Sequence, residues 1–248
     1  MTPRLLSLPV LAGLLGLTAA TSHAAITYTK ITSDADSGIS TGNTYTHALD
    51  FGTGTPGAVV NGVQFSAYNA GANGTLNFNR TASTGTLNDH AGNANFTVTG
   101  GLTGLLTDML YNGGNTPGGT TTWTLGGLTA GVTYDLRIYT RQWAAPSTRT
   151  VTFNFDPDGA GAVSESTINI NEDDATSVGM ANANDAYYIN YRYTAVAGQN
   201  LVITGTQEFN NNSWHLYGLS NQVVPVPEPT GAALSGLAAL GLMLRRRR

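Results

Sequence analysis

From about residue 26 to residue 223 the chain alternates apolar and polar side chains with a period of two, and that regularity restricts the body to sheet. The clearest run is 132–141. There Val132, Tyr134, Leu136 and Ile138 form one apolar face, while Thr133, Asp135, Arg137, Tyr139 and Arg141 form a mostly polar one. The same texture predicts strands over 26–31, 58–65, 75–80, 95–99, 120–125, 148–155, 164–170, 186–194, 200–204 and 213–219, separated by turns rich in Gly and Asn. The Gly-rich link 126–131 predicts a hairpin between 120–125 and 132–141. Only 102–111, with Leu105, Leu106, Met109 and Leu110 grouped at helical spacing, predicts a short helix. So many short strands and so little helix predict an all-β fold, a single antiparallel β-sandwich of jelly-roll type over residues 25–223.

Both ends depart from this pattern. Residues 1–24 place Arg4 before an apolar stretch and end in small residues, the build of a secretory signal peptide cut between Ala24 and Ala25. At the other end, 224–229 alternate Val or Glu with Pro, which holds the backbone extended. An uncharged run over 230–244 follows, and then four terminal arginines. A helix of about 15 residues is short for a hydrocarbon core of about 30 Å, and arginines resist transfer across it. The segment therefore predicts a transient inner-membrane anchor with the body outside.

The order Pro227-Glu228-Pro229, apolar run, Arg245, Arg246, Arg247 and Arg248 resembles the PEP-CTERM sorting signal of Gram-negative bacteria. That resemblance implies recognition by an exosortase-like membrane protease. It also implies a final place at the cell surface or in an extracellular matrix rich in exopolysaccharide.

Removing both end segments leaves 6 basic against 14 acidic residues, a net of about −8. A surface of that sign repels phosphate backbones, so nucleic acid is not the expected partner. Neutral glycans, cations and proteins remain. The chain has no cysteine, which excludes disulfides, thiol nucleophiles and cysteine metal sites.

Neither His-Glu-x-x-His nor a phosphate loop occurs. The expectation is a non-enzymatic protein without a cofactor, a secreted glycan-active enzyme being the alternative. A purely structural matrix protein is a third reading. Two aspartate groups have the alternate spacing that a structural calcium prefers, Asp34 with Asp36 and Asp156 with Asp158; the same residues are equally standard in turns. Arg141-Gln142-Trp143, at the end of the clearest strand, combines a stacking ring with hydroxyl-binding groups and is the candidate glycan site, with Trp143 as an exposed platform. The alternative for that ring is to cover a sheet edge. Trp123 and Trp214, inside alternating strands, are expected in the core. The body resembles β-sandwich carbohydrate-binding and galactose-binding-like modules in strand texture, in 127–131 leading to Tyr134, and in Trp214-His215-Leu216-Tyr217-Gly218.

Overall fold

The structure, a computed structural model, describes residues 26–54, 56–92, 97–113, 117–143, 148–159, 166–209 and 214–225. The signal peptide with Ala24 and Ala25, the Pro227–Pro229 marker, the apolar run and the terminal arginines lie outside the described residues. Among the described residues no helix is long and apolar enough to cross a membrane.

The strands are β1 (Ile26–Lys30), β2 (Tyr45–Phe51), β3 (Val59–Val60), β4 (Val63–Gln64), β5 (Ser66–Tyr68), β6 (Phe78–Ala82), β7 (Thr86–His90), β8 (Met109–Gly113), β9 (Thr120–Leu125), β10 (Thr133–Thr140), β11 (Thr150–Asp156), β12 (Ser166–Asn171), β13 (Tyr187–Thr194), β14 (Leu201–Gln207) and β15 (Gly218–Val223). Among the described residues one short α-helix, α1 (Gly101–Leu105), precedes β8. Six strands form one sheet in the order β1-β13-β10-β15-β2-β5, and five form the other, β12-β11-β14-β9-β6. All pairs within these sheets are antiparallel except β2 with β5. The fold is the expected all-β sandwich.

The alternation of β10 explains its central place. Tyr134, Leu136 and Ile138 point into the layer between the sheets, where they join Tyr187, Ile189, Tyr191 and Leu219 from their own sheet. Trp123, Phe153, Phe155 and Ile203 come from the opposite one. Trp123 and Trp214 are both buried there. The opposite face of β10 is not solvated, as its polar residues suggested. Tyr139 is fully buried in a second apolar layer with Phe65, Leu102, Leu105 and Tyr217, formed by α1 and the β3–β4 hairpin lying over the six-stranded sheet. The charged groups on this face have partners: exposed Arg192 bonds both oxygens of buried Asp135 at 2.7 Å, and Arg137 donates to Gly38 O and Gln222 Oε1.

Four local expectations are corrected. Segments β9 and β10 do not form a hairpin; β9 pairs with β14 and β6, whereas β10 pairs with β13 and β15. Each has an apolar face, and placing them in opposite sheets sets those faces against each other. Gly127 and Gly131, both at positive φ, let the link turn that corner. The helix over 102–111 stops at Leu105, and Met109–Gly113 becomes β8, drawn out by pairing with β7 and by a two-bond bridge between Leu110 and Leu216. Finally, the last strand begins at Gly218, not at 213, and the expected strand 58–65 is a small hairpin whose turn places Asn61 and Gly62 at positive φ.

The cover over the outer face relies on close approach. A Cβ on Gly101 would run into the carbonyl oxygen of Val59, so Gly101→Ala must push α1 away from β3. The expected cost is about 1–3 kcal/mol, read as a lower urea midpoint with an unchanged slope.

Candidate functional site

The alternation that sends Leu49 and Phe51 into the core turns Asp50 to the outer face of β2, toward α1 and the β3–β4 hairpin. Asp50 is 5% exposed. Its Oδ2 accepts the Ala58 N–H at 2.6 Å, while its Oδ1 is buried with no hydrogen-bond partner. Asp108, between α1 and β8, is equally buried; its Oδ2 accepts the N–H of Gly54 and the Thr53 hydroxyl. Gly52, at φ 119°, makes this approach possible, because a Cβ there would press within 2.9 Å of the Asp108 Cβ. Between the two aspartates lies an open cleft of about 300 Å³ whose walls include Gly54, Ala58, Gly92 and Gly104. Small side chains leave it roomy, and none of its lining residues is basic. Burial pushes the Asp50 carboxyl up to about 7; the Ala58 N–H opposes that rise and the nearby charge of Asp108 adds to it.

Gly92 on the cleft wall is two residues past His90, so their Cα atoms are at most about 7 Å apart. Exposed His90 stands edge-on to Trp143 with ring centres 4.7 Å apart, and Tyr111 lies 6.2 Å from His90. Tyr111 and Trp143 thus gather around His90, two residues along the chain from the cleft wall.

The residues singled out at the end of β10 are placed differently from expectation. Arg141 is 2% exposed: its Nε donates to Leu106 O at 2.7 Å, its Nη1 donates to Gln142 O, and its guanidinium lies over the rings of Tyr217 and Trp143. Gln142 donates to the Asp173 carbonyl, and the Trp143 N–H donates to Asp173 Oδ1. The tripeptide thus turns inward onto Asp173. Trp143 is half-buried against His90 and His215 and is not a free-standing platform; its loop position at a strand end left this undetermined in the sequence.

Behind Trp143 is a buried ionic group. Glu172, fully buried, accepts from the Thr140 hydroxyl and the His215 backbone N–H, and its Oε2 is 3.5 Å from Arg149 Nε. Burial pushes the Glu172 carboxyl well up, opposed by Arg149, and pushes the His215 imidazole well down, aided by the cations of Arg149, Arg80 and Arg141.

Asp156 uses Oδ1 to accept the backbone N–H groups of Asp158 and Gly159, which closes the turn after β11. Asp34 accepts from the N–H groups of Gly101 and Leu102 at the start of α1, and Asp36 accepts from those of Thr32 and Ser33. Among the described residues no group of three or more His, Asp or Glu is placed to hold a metal. The sequence reading missed Asp50 and Asp108, single acids in the apolar stretches 48–51 and 107–110. An ionisable residue inside such a stretch is itself the available signal.

No protein-family model and no curated protein matches the chain. Among solved structures it is similar to the extracellular domain of ANXUR1 from Arabidopsis thaliana, at 16% identity and a TM-score of 0.49, covering 75% of this chain and 51% of that one. It is also similar to the enzymatically active domain of tailspike protein 4 of bacteriophage CBA120, at 11% identity and a TM-score of 0.32, covering 65% and 22% of the two chains. A carbohydrate-binding module of the β-sandwich superfamily aligns at 12% identity and a TM-score of 0.18, covering 62% and 65%. The chain thus spans about half the ANXUR1 structure and about a fifth of the tailspike one.

Proposed function

We propose that the chain is an exported, non-enzymatic protein of the cell surface or extracellular matrix that binds a neutral glycan at the cleft between Asp50 and Asp108. The observation that supports this reading is the geometry of the cleft itself. An open space of about 300 Å³ is at the lower end of the range for small-ligand pockets, with two carboxylates to accept sugar hydroxyls. His90, two residues from Gly92 of the cleft wall, and the rings of Tyr111 and Trp143 packed against it are the nearest candidates for C–H stacking with a longer glycan. The Trp143 contribution proposed from the sequence is retained through its contact with His90, without Arg141, whose guanidinium faces the interior.

Export and sorting rest on the residues at the two ends: cleavage between Ala24 and Ala25, and an exosortase-like protease acting on the tail marked by Pro227, Glu228 and Pro229 and by Arg245 to Arg248. Mass spectrometry of surface-extracted protein tests this directly. A mature chain carrying both original termini would overturn it.

Glycan binding is tested by arrays of exopolysaccharide fragments, followed by titration of the best binder. Trp143→Ala is expected to weaken that binder about tenfold, the scale of one lost aromatic contact of ~1.4 kcal/mol. Unchanged affinity in Trp143→Ala and in Asp108→Asn would remove the cleft from the reading. A glycan-active enzyme is the second reading, favoured by one feature: Asp50 holds its proton to about pH 7, as a general acid requires, beside a second carboxyl. Release of reducing ends from the bound glycan, lost in Asp50→Asn, would establish that reading over simple binding.

A further inference from the structure

We propose that the floor of the Asp50–Asp108 cleft is a site for a hard divalent cation, calcium being the best fit. Each carboxylate commits only one oxygen within the fold: Asp50 Oδ2 to the Ala58 N–H, and Asp108 Oδ2 to the Gly54 N–H and the Thr53 hydroxyl. The other oxygen of each is left over. That of Asp50 is the more telling, since the residue is 95% removed from solvent, lines the cleft, and has an Oδ1 with no partner. A buried acceptor without a donor is costly, and two carboxylates at one cleft repel each other. Ordinarily a lysine or arginine would answer both. None lines this cleft, and the chain outside its end segments has 14 acidic residues to 6 basic ones.

A cation answers both needs at once. Two carboxylate oxygens, the Thr53 hydroxyl and waters entering from the open side give an irregular all-oxygen shell, which calcium tolerates and magnesium does not. With only two charged ligands the affinity belongs in the weak range of extracellular modules, a Kd of about 10⁻⁴ to 10⁻³ M. This site is separate from Asp156 and Asp158, whose geometry is that of a turn.

The experiment is a titration of the purified protein, stripped with EDTA, with calcium alone, followed by calorimetry and by its melting temperature. Saturable heat and a rising melting temperature over 0.1–10 mM calcium are expected, with a smaller response to magnesium. Asp50→Asn and Asp108→Asn each keep a side-chain oxygen for the backbone N–H they cap, so both should fold, and each should weaken calcium at least about tenfold, as expected when one of only two charged ligands is lost. Asp156→Asn should leave the titration unchanged. No calcium response in the wild-type chain overturns the proposal, and so does a response that survives in both cleft variants or vanishes in Asp156→Asn. The inference does not rest on glycan binding. Sugar retained in EDTA by a chain that gives no calcium heat would sink the cation site alone, and calcium heat without any glycan binder would sink the glycan reading alone.

Discussion

Glu172→Ala is expected to cost about 3–5 kcal/mol of folding stability, the range for removing one partner from a buried ionic group. The carboxyl has no solvent exposure and accepts from the Thr140 hydroxyl on β10 and the backbone N–H of His215, while facing Arg149. These groups come from chain segments more than thirty positions apart, as the bonds at separations of 32 and 43 show, so the residue ties β10, the end of β12 and the approach to β15 together. Alanine leaves two buried donors without their acceptor and removes one of the two carboxylates facing Arg149, whose Nε keeps Asp173 Oδ2 at 3.2 Å. Glu172→Gln keeps one acceptor oxygen and should lose less than half as much. Urea denaturation of the three chains checks this: a Glu172→Ala loss under about 1 kcal/mol would mean that water replaces the carboxyl and the group is not sealed.

Asp50→Asn is expected to act in the opposite direction. In buffer with a chelator the variant should be more stable than the parent by up to about 4 kcal/mol at pH 8, and equal to it near pH 4. Below about pH 4 the carboxyl is protonated in both the folded and the unfolded chain, so ionisation contributes no difference. Between there and about 7, the raised value in the fold, the unfolded chain gives up its proton and the folded one holds it. Stability falls with rising pH across that window, and above it the full penalty of the buried charge is present. Asparagine never ionises and still offers an oxygen to the Ala58 N–H. Melts at pH 4, 6 and 8 decide the matter. A parent chain as stable as the variant at pH 8 would show that the carboxylate is hydrated in the cleft.

Much of the body was legible because the evidence for it is local. The alternation in β10, β11 and β13 reports which residues face the core, and burial of Trp123 on β9 follows from the same rule, whereas Trp214 is buried from outside any strand. Where the reading failed, the deciding contact lay far away in the chain. Residues 102–111 carry apolar groups at helical spacing, yet pairing with β7 and a bridge to Leu216, over a hundred positions on, draw the last three of them, 109–111, into a strand. Strand β2 was missed altogether: His47 and Asp50 break its apolar texture, and both are buried only because other segments fold over them.

The sequence by itself determined the class, an all-β body, because side-chain alternation is a property of neighbours along the chain. Only the tertiary structure decided that the polar face of β10 is covered, that β9 and β10 belong to opposite sheets, and that Asp50 meets Asp108 across a cleft. The reason is that a carboxylate's environment is set by what packs against it. Here the partners come from the Thr53–Ala58 loop and α1, which chain order does not bring together.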